Sequence, residues 1–160
     1  MPRFTNVRSV PFSADEMFAL VADVEKYPEF VPLCESLVVH TRKQHDDGTA
    51  LITATMGIGY KAIREQFTTN VTLDPADPSI VVRHKNGPFR RLENVWRFTP
   101  LSQNACDVSF AIDYEFSSPL LAALMGTVFD TAFRKFAGAF EARAGEVYGR
   151  RLPVAGAALS

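Results

Sequence analysis

The sequence predicts an α+β domain, a curved antiparallel sheet of six to seven strands wrapped around one long C-terminal helix. Three observations carry this. Between Leu33 and Phe116 the chain divides into five or six short segments rich in Val, Ile, Thr and Phe, each closed by a turn signal. From Pro119 to about Tyr148 the apolar period becomes helical. The 160 residues contain no repeat and have the length of one ordinary domain. Residues 1–150 therefore read as the domain, and residues 151–160, small and unpatterned, as a flexible C-terminal tail.

The elements follow in order. Arg3 to Val10 reads as a short strand. Ser13-Ala-Asp-Glu16 is a capping box, with Met17, Phe18, Leu20, Val21 and Val24 behind it at helical spacing. That helix ends before Pro28. Tyr27-Pro-Glu-Phe-Val-Pro32 permits only a short second helix or turn, because the residue before each proline is pushed out of the α region. The expected turns are Asp46-Asp47-Gly48, Gly57-Ile58-Gly59, Asp74 to Pro78, Asn86-Gly87-Pro88 and Pro100 to Asn104. Short turns between neighbours give an antiparallel meander.

Three strand faces alternate. Cys106, Val108, Phe110, Ile112, Tyr114 and Phe116 share one face of the last strand, opposite Asp107, Ser109, Asp113 and Glu115. The other two faces carry polar interruptions, Glu65 and Thr69 between Ile63 and Leu73, and Asn94 between Leu92 and Phe98. In the C-terminal helix, about 45 Å long if unbroken, Phe129, Phe133, Phe136 and Phe140 fall on one stripe with small residues among them.

Composition excludes several functions. With 47% hydrophobic and 22% charged residues the chain affords a core. A net charge of -1 argues against a general DNA binder, which needs a basic surplus. Cys34 and Cys106 form no CxxC pair and read as two reduced thiols of a cytoplasmic protein. The N-terminus has no apolar signal core. The most apolar stretch, Pro119 to Val128, has about half the twenty residues that span a bilayer.

No catalytic or metal-binding constellation is legible. His40, His45 and His84 lack metal-ligand spacing, and GxSxG, P-loop and GxGxxG motifs are absent. No cofactor is expected. Glu65, on an apolar face, is the one candidate for acid–base work. Thirteen Phe, an aromatic stripe broken by small residues, and apolar sheet faces broken by polar ones together describe an apolar cavity with a few orienting groups. Its expected lining is Phe67, Trp96, Phe98, Phe110, Tyr114, Phe129, Phe133 and Phe136, with Glu65, Thr69 and Asn94 as orienting groups.

Three motifs are more specific. Leu20-Val-Ala-Asp-Val-Glu-Lys-Tyr-Pro-Glu-Phe-Val-Pro-Leu-Cys34, Gly59-Tyr-Lys-Ala-Ile-Arg-Glu-Gln-Phe-Thr-Thr69 and Gly87-Pro-Phe-Arg-Arg-Leu-Glu-Asn-Val-Trp-Arg-Phe98 resemble the coenzyme Q-binding, START-type (polyketide cyclase-like) proteins. Leu33 departs from the pattern, since many members carry Trp there. The resemblance implies a helix-grip fold with a hydrophobic tunnel between sheet and C-terminal helix. It implies binding of ubiquinone, without turnover, in support of respiratory electron transfer. The family also includes ribosome-association toxins that inhibit subunit joining. That alternative implies a basic surface, for which Lys61, Arg83, Lys85, Arg90, Arg91 and Arg97 are the candidates. A cyclase using Glu65 is the second alternative.

A quinone carrier must meet a membrane, because each buried CH₂ contributes about 0.8 kcal/mol and a long tail does not cross water unaided. The expected membrane-facing gate is Ile58, Tyr60, Phe89, Leu120, Leu121, Leu124 and Met125, apolar residues at turns or at the helix start. The protein is thus expected in the cytoplasm, in transient contact with the inner face of the respiratory membrane.

Overall fold

The structure, a computed structural model, describes residues 3–154. Strand β1 (Arg3–Val10) leads into helix α1 (Ala14–Ala22) and a short 3-10 helix (Val24–Glu29). Six strands follow, β2 (Cys34–Gln44), β3 (Ala50–Tyr60), β4 (Ile63–Asp74), β5 (Ser79–Asn86), β6 (Phe89–Ser102) and β7 (Ala105–Phe116). Helix α2 (Pro119–Tyr148) closes the chain. The strands form one seven-stranded sheet in the order β1-β7-β6-β5-β4-β3-β2, antiparallel throughout. The α+β, helix-on-curved-sheet expectation holds, with seven strands.

The capping box closes as the spacing requires. Glu16 N–H donates to Ser13 Oγ at 3.0 Å, and Ser13 N–H donates to Glu16 Oε1 at 2.9 Å. Such a cap is worth about 1 kcal/mol. Helix α1 ends earlier than its apolar spacing suggests, at Ala22, and Val24 belongs to the 3-10 helix that accommodates Pro28. Helix α2 starts with Ser118 as N-cap, its Oγ accepting from Leu121 N–H, and Pro119 in the first turn, where a missing amide costs nothing.

One expected turn is not a turn. Gly57-Ile58-Gly59 lies inside β3, and the reversal falls at Lys61, in the left-handed region with φ 53°. The two glycines answer a different need. A Cβ on Gly57 would strike Ser36 Oγ, and one on Gly59 would strike the Glu35 carboxylate, so their absence lets β2 close on β3. Strand β6 runs through Pro100 to Ser102, with a register irregularity there, so the turn expected over Pro100 to Asn104 is confined to Gln103 and Asn104.

The last strand alternates as its sequence does, with Cys106, Val108, Phe110, Ile112, Tyr114 and Phe116 all buried. Phe110 anchors an aromatic network that runs through Trp96 (4.8 Å between ring centres) to Phe140 of α2 (4.9 Å). Helix α2 lies close to β7, β1 and α1, while β3, β4 and β5 curve away from it. Of the expected tail, Arg151 is anchored. Its guanidinium donates to both Glu16 carboxylate oxygens at 2.7 and 2.9 Å and lies 4.9 Å from the Phe12 ring centre. Residues 155–160 of that tail fall outside the described residues.

Candidate functional site

Where the sheet leaves the helix, a cavity of about 80 Å³ remains. Strands β3 to β6 supply one wall through Ile58, Phe67, Val71, Val82, Leu92 and Trp96, and α2 supplies the other through Phe129, Ala132, Phe133, Phe136 and Phe140. Tyr27, Pro32 and Leu33 close the end next to the 3-10 helix. No charged side chain lines it.

The polar groups in this wall differ in availability. Asn94 is occupied, its Nδ2 donating to Ala111 O at 2.9 Å and its Oδ1 accepting from Trp96 Nε1 at 2.9 Å. The Tyr27 hydroxyl donates to Val21 O, and its burial pushes its pKa far above the usual tyrosine range, so it stays neutral. Thr69 is buried and lines the cavity, and its hydroxyl makes no hydrogen bond among the described residues.

Of the expected lining residues, Phe67, Trp96, Phe129, Phe133, Phe136, Thr69 and Asn94 meet at the cavity. Phe98, Phe110 and Tyr114 are corrections. All three are buried on the inner face but turned into aromatic packing, Phe98 against Phe18 (6.1 Å) and Trp96, Phe110 against Phe4 and Trp96, Tyr114 against Phe133 (5.1 Å) and Phe116. Phe98 lies where α1 meets β6, and Phe110 and Tyr114 lie on β7 next to α2, so these three fill core while Leu92 and Trp96 of β6 still reach the cavity. Glu65 is half-buried, opposite Ile58 in the ladder, and lies outside the cavity lining.

The expected gate also divides. Tyr60 (37% exposed), Leu120 (69%) and Leu124 (57%) face outward, and Leu121 is half-buried. Ile58, Phe89 and Met125 are corrections. Ile58 points inward from β3 and lines the cavity. Phe89 stacks on Phe116 (5.1 Å) and meets Phe67 edge-on. Met125 lies four residues before Phe129 on the buried stripe of α2.

Sequence reasoning missed a second feature. A groove of about 280 Å³, lined by Tyr60, Val128, Thr131 and Lys135 among others, shares Pro32, Leu33 and Ala132 with the cavity. These three residues form the partition between the cavity and the surface. Leu33 sits at φ 69°, which costs a non-glycine residue about 1 kcal/mol or more, and its carbonyl is held by Gly59 N–H at 3.0 Å.

Four of the six cations of the candidate basic patch are paired with carboxylates. On the outer sheet face Arg83 pairs with Glu93 (2.9 Å), Arg91 with Asp113 (2.7 Å), Arg90 with Glu115 (3.7 Å) and Arg97 with Asp77 (3.5 Å). The strand alternation that puts these cations outside puts carboxylates opposite them. Cys34 and Cys106 are free and buried at opposite ends of the sheet, and burial pushes their thiols up to about 11 and about 12. Among the described residues no group of His, Cys, Asp and Glu is arranged to hold a metal ion, and no helix is long and apolar enough to cross a membrane.

A long helix gripped by a curved antiparallel sheet, with an apolar cavity between them, defines a class. The chain belongs to the polyketide cyclase / dehydrase and lipid transport family, whose model matches residues 10–141. It is 36% identical over 151 residues to the ribosome association toxin RatA of Escherichia coli K12, covering 94% of this chain and 92% of that one. It is 31% identical over 159 residues to the mitochondrial coenzyme Q-binding protein COQ10 homolog B of Xenopus laevis, covering 97% of this chain and 63% of that one. The solution structure of an 18 kDa protein from Caulobacter crescentus matches at a TM-score of 0.74 and 35% identity, over 94% of this chain and all of that one. A START superfamily protein from Mycobacterium smegmatis matches at a TM-score of 0.73 over 91% of this chain and 98% of that one, and at 20% identity it bears on the fold alone.

Proposed function

We propose that this chain binds a ubiquinone-type lipid between sheet and α2 and carries it without chemical turnover. One observation carries the reading, a cavity walled by apolar side chains in which Thr69 alone presents an unengaged hydroxyl. Its roughly 80 Å³ is well below the several hundred Å³ of an ordinary ligand site, so loading requires the walls to part. The partition at Leu33 and Ala132 is where they part, since it alone separates the cavity from the surface groove.

Lipid entry then needs a membrane contact. The β3–β4 turn, the β5–β6 turn and the start of α2 lie at one end of the sheet. Segments 59–64, 85–90 and 117–124 there contain Lys61, Arg64, Lys85 and Arg90 and no acidic residue. Arg64 is paired with Glu35 and Arg90 loosely with Glu115, which leaves Lys61, over the Tyr60 ring, and Lys85 at the same end of the sheet as exposed Leu120 and Leu124. This end suits transient docking on the anionic inner face of a respiratory membrane.

The test exploits Trp96, the chain's one tryptophan, which lines the cavity. Quinones quench indole fluorescence, so titration with decylubiquinone should quench Trp96 saturably, and purified protein should yield extractable quinone. Absence of quenching, with no lipid in repeated mass spectra and no uptake from vesicles, would remove the proposal.

A second reading has its own support, the 36% identity to a protein named as a ribosome association toxin. It calls for salt-sensitive co-sedimentation with ribosomal subunits. The paired charges of the outer sheet face weigh against that face as the contact.

A further inference from the structure

One buried polar atom near the cavity has no partner. Among the described residues His84 Nε2 and Asn6 Oδ1 are the fully enclosed side-chain polar atoms without a hydrogen bond, whereas the Thr69 hydroxyl opens on the cavity, and Asn6 lies on β1, away from it. His84 lies on β5 directly opposite Thr69 of β4, and paired residues of a ladder project to the same face. Val82, two residues before it on that face, lines the cavity, as does Thr69. The imidazole meets Phe89 edge-on at 5.8 Å, and Phe89 meets Phe67 (5.3 Å) and Phe129 (5.7 Å), which both line the cavity. A buried imidazole nitrogen left unpaired costs free energy that a chain recovers only when something binds it.

We infer that the Thr69 hydroxyl, which lines the cavity, and His84 Nε2, which lies behind the lining and is reached when the walls part, form a two-point polar socket that takes a carbonyl or hydroxyl oxygen on the ring head group of the bound lipid. The inference rests on the lipid-binding reading above and adds the end at which the head group lies. Burial lowers the His84 pKa, so the ring is neutral at pH 7 and suits an uncharged head group rather than a phosphate. The Thr69 hydroxyl both donates and accepts, so the pair serves a ring carbonyl and a ring hydroxyl alike. His84 reaches the inner face by plain alternation after Ile80 and Val82, and the irregularity that follows it, between Thr68 and Thr69, leaves Lys85 out of the ladder.

The test measures selectivity rather than affinity. Decylubiquinone and decylbenzene share a ten-carbon tail, and only the first carries ring oxygens. Both are titrated into wild type, His84→Leu and Thr69→Val, with tryptophan quenching for the quinone and its competition by decylbenzene. The expected result is at least a tenfold loss in the decylubiquinone-to-decylbenzene affinity ratio for His84→Leu and a smaller loss for Thr69→Val, with decylbenzene binding unchanged within about twofold. Restoration of part of the ratio by His84→Gln would support the socket. An unchanged ratio in both variants overturns it while leaving lipid binding in place. Thr69→Val, nearly isosteric, decides the matter if His84→Leu does not fold. If wild type binds neither probe, the lipid-binding reading itself falls, and the socket with it.

Discussion

Asn94→Leu separates the two roles that its position allows, ligand contact and core support. The Asn94 amide bridges Trp96 Nε1 and the Ala111 carbonyl, at 2.9 Å on each side. Trp96 is 2% exposed, so its N–H has no access to water once Asn94 is gone. An orphaned buried donor costs about 1–3 kcal/mol. The Ala111 carbonyl has a second lone pair, so its loss is smaller, about 1 kcal/mol. Leucine is near asparagine in size and buries more apolar surface, which offsets about 1 kcal/mol. The net destabilisation is about 1–3 kcal/mol, a fall of roughly 3–10 °C in Tm for a chain of this length.

Urea unfolding followed by circular dichroism measures it without relying on the tryptophan. The double variant Asn94→Leu/Trp96→Phe removes donor and acceptor together, so the cycle should return a coupling of about 1–2 kcal/mol. The decylubiquinone-to-decylbenzene ratio should not change in Asn94→Leu, because both ends of the amide are already engaged. A loss under about 0.5 kcal/mol with zero coupling would refute the structural role. A collapsed ratio with stability intact would return Asn94 to the ligand.

Three further outcomes are expected. Gly57→Ala should destabilise the β2–β3 pairing by about 1–3 kcal/mol, and Ser36→Ala in the same chain should restore part of it, because the clash is with Ser36 Oγ; equal melting of single and double variants would contradict this. Leu120→Asp/Leu124→Asp should reduce co-flotation with anionic vesicles at least tenfold while leaving Tm within a few degrees, since both side chains already face water; undiminished flotation would remove the docking end. Arg151 beside Glu16 holds that carboxyl below its ordinary value of 4.5, so the pair stabilises above that value and the stabilisation disappears as pH falls through the lowered one. Glu16→Gln and Arg151→Ala should therefore lower stability at pH 7 and flatten its loss below about pH 4.5, as read by denaturant midpoints across pH.

The sequence carried the frame because period and punctuation are local properties. The capping box at Ser13, the alternation from Cys106 to Phe116 and the helix from Pro119 to Tyr148 each need only a few neighbouring residues to be read. What it could not carry was which buried residues face space and which face other residues. Trp96 and Phe98 share a face two residues apart, yet one lines the cavity and the other packs on Phe18 of α1. That difference is set by where α1 crosses the sheet, which no local pattern encodes. Gly57 and Gly59 misled for a related reason, since a glycine that opens a turn and one that admits a neighbouring strand look alike in sequence. His84 was read only for metal spacing. Its place on the inner face follows from the alternation Ile80, Val82, His84, but that its Nε2 lacks a partner is set by the packing around it.

The cavity follows from the dimensions of the parts. Seven strands at about 4.8 Å spacing make a sheet roughly 29 Å wide, while one helix with its side chains is about 10–12 Å across. Helix α2 covers the β1–β7 side, and α1 crosses onto β5, β6 and β7. The strands from β3 to β5 must then be covered by side chains reaching across the gap, or by something else. Phe129, Phe133 and Phe136 reach from α2, but Ala132 cannot, and Ala54 opposite in β3 is as small. Alanines on both walls of an under-covered sheet forgo apolar burial that larger side chains would supply. That loss has a physical rationale if a lipid supplies the missing contacts, which makes Ala132→Phe the substitution to set beside the ligand titrations. It should raise Tm by filling the gap and abolish decylubiquinone quenching of Trp96, and a variant that is stabilised yet still binds would show that the space serves another purpose.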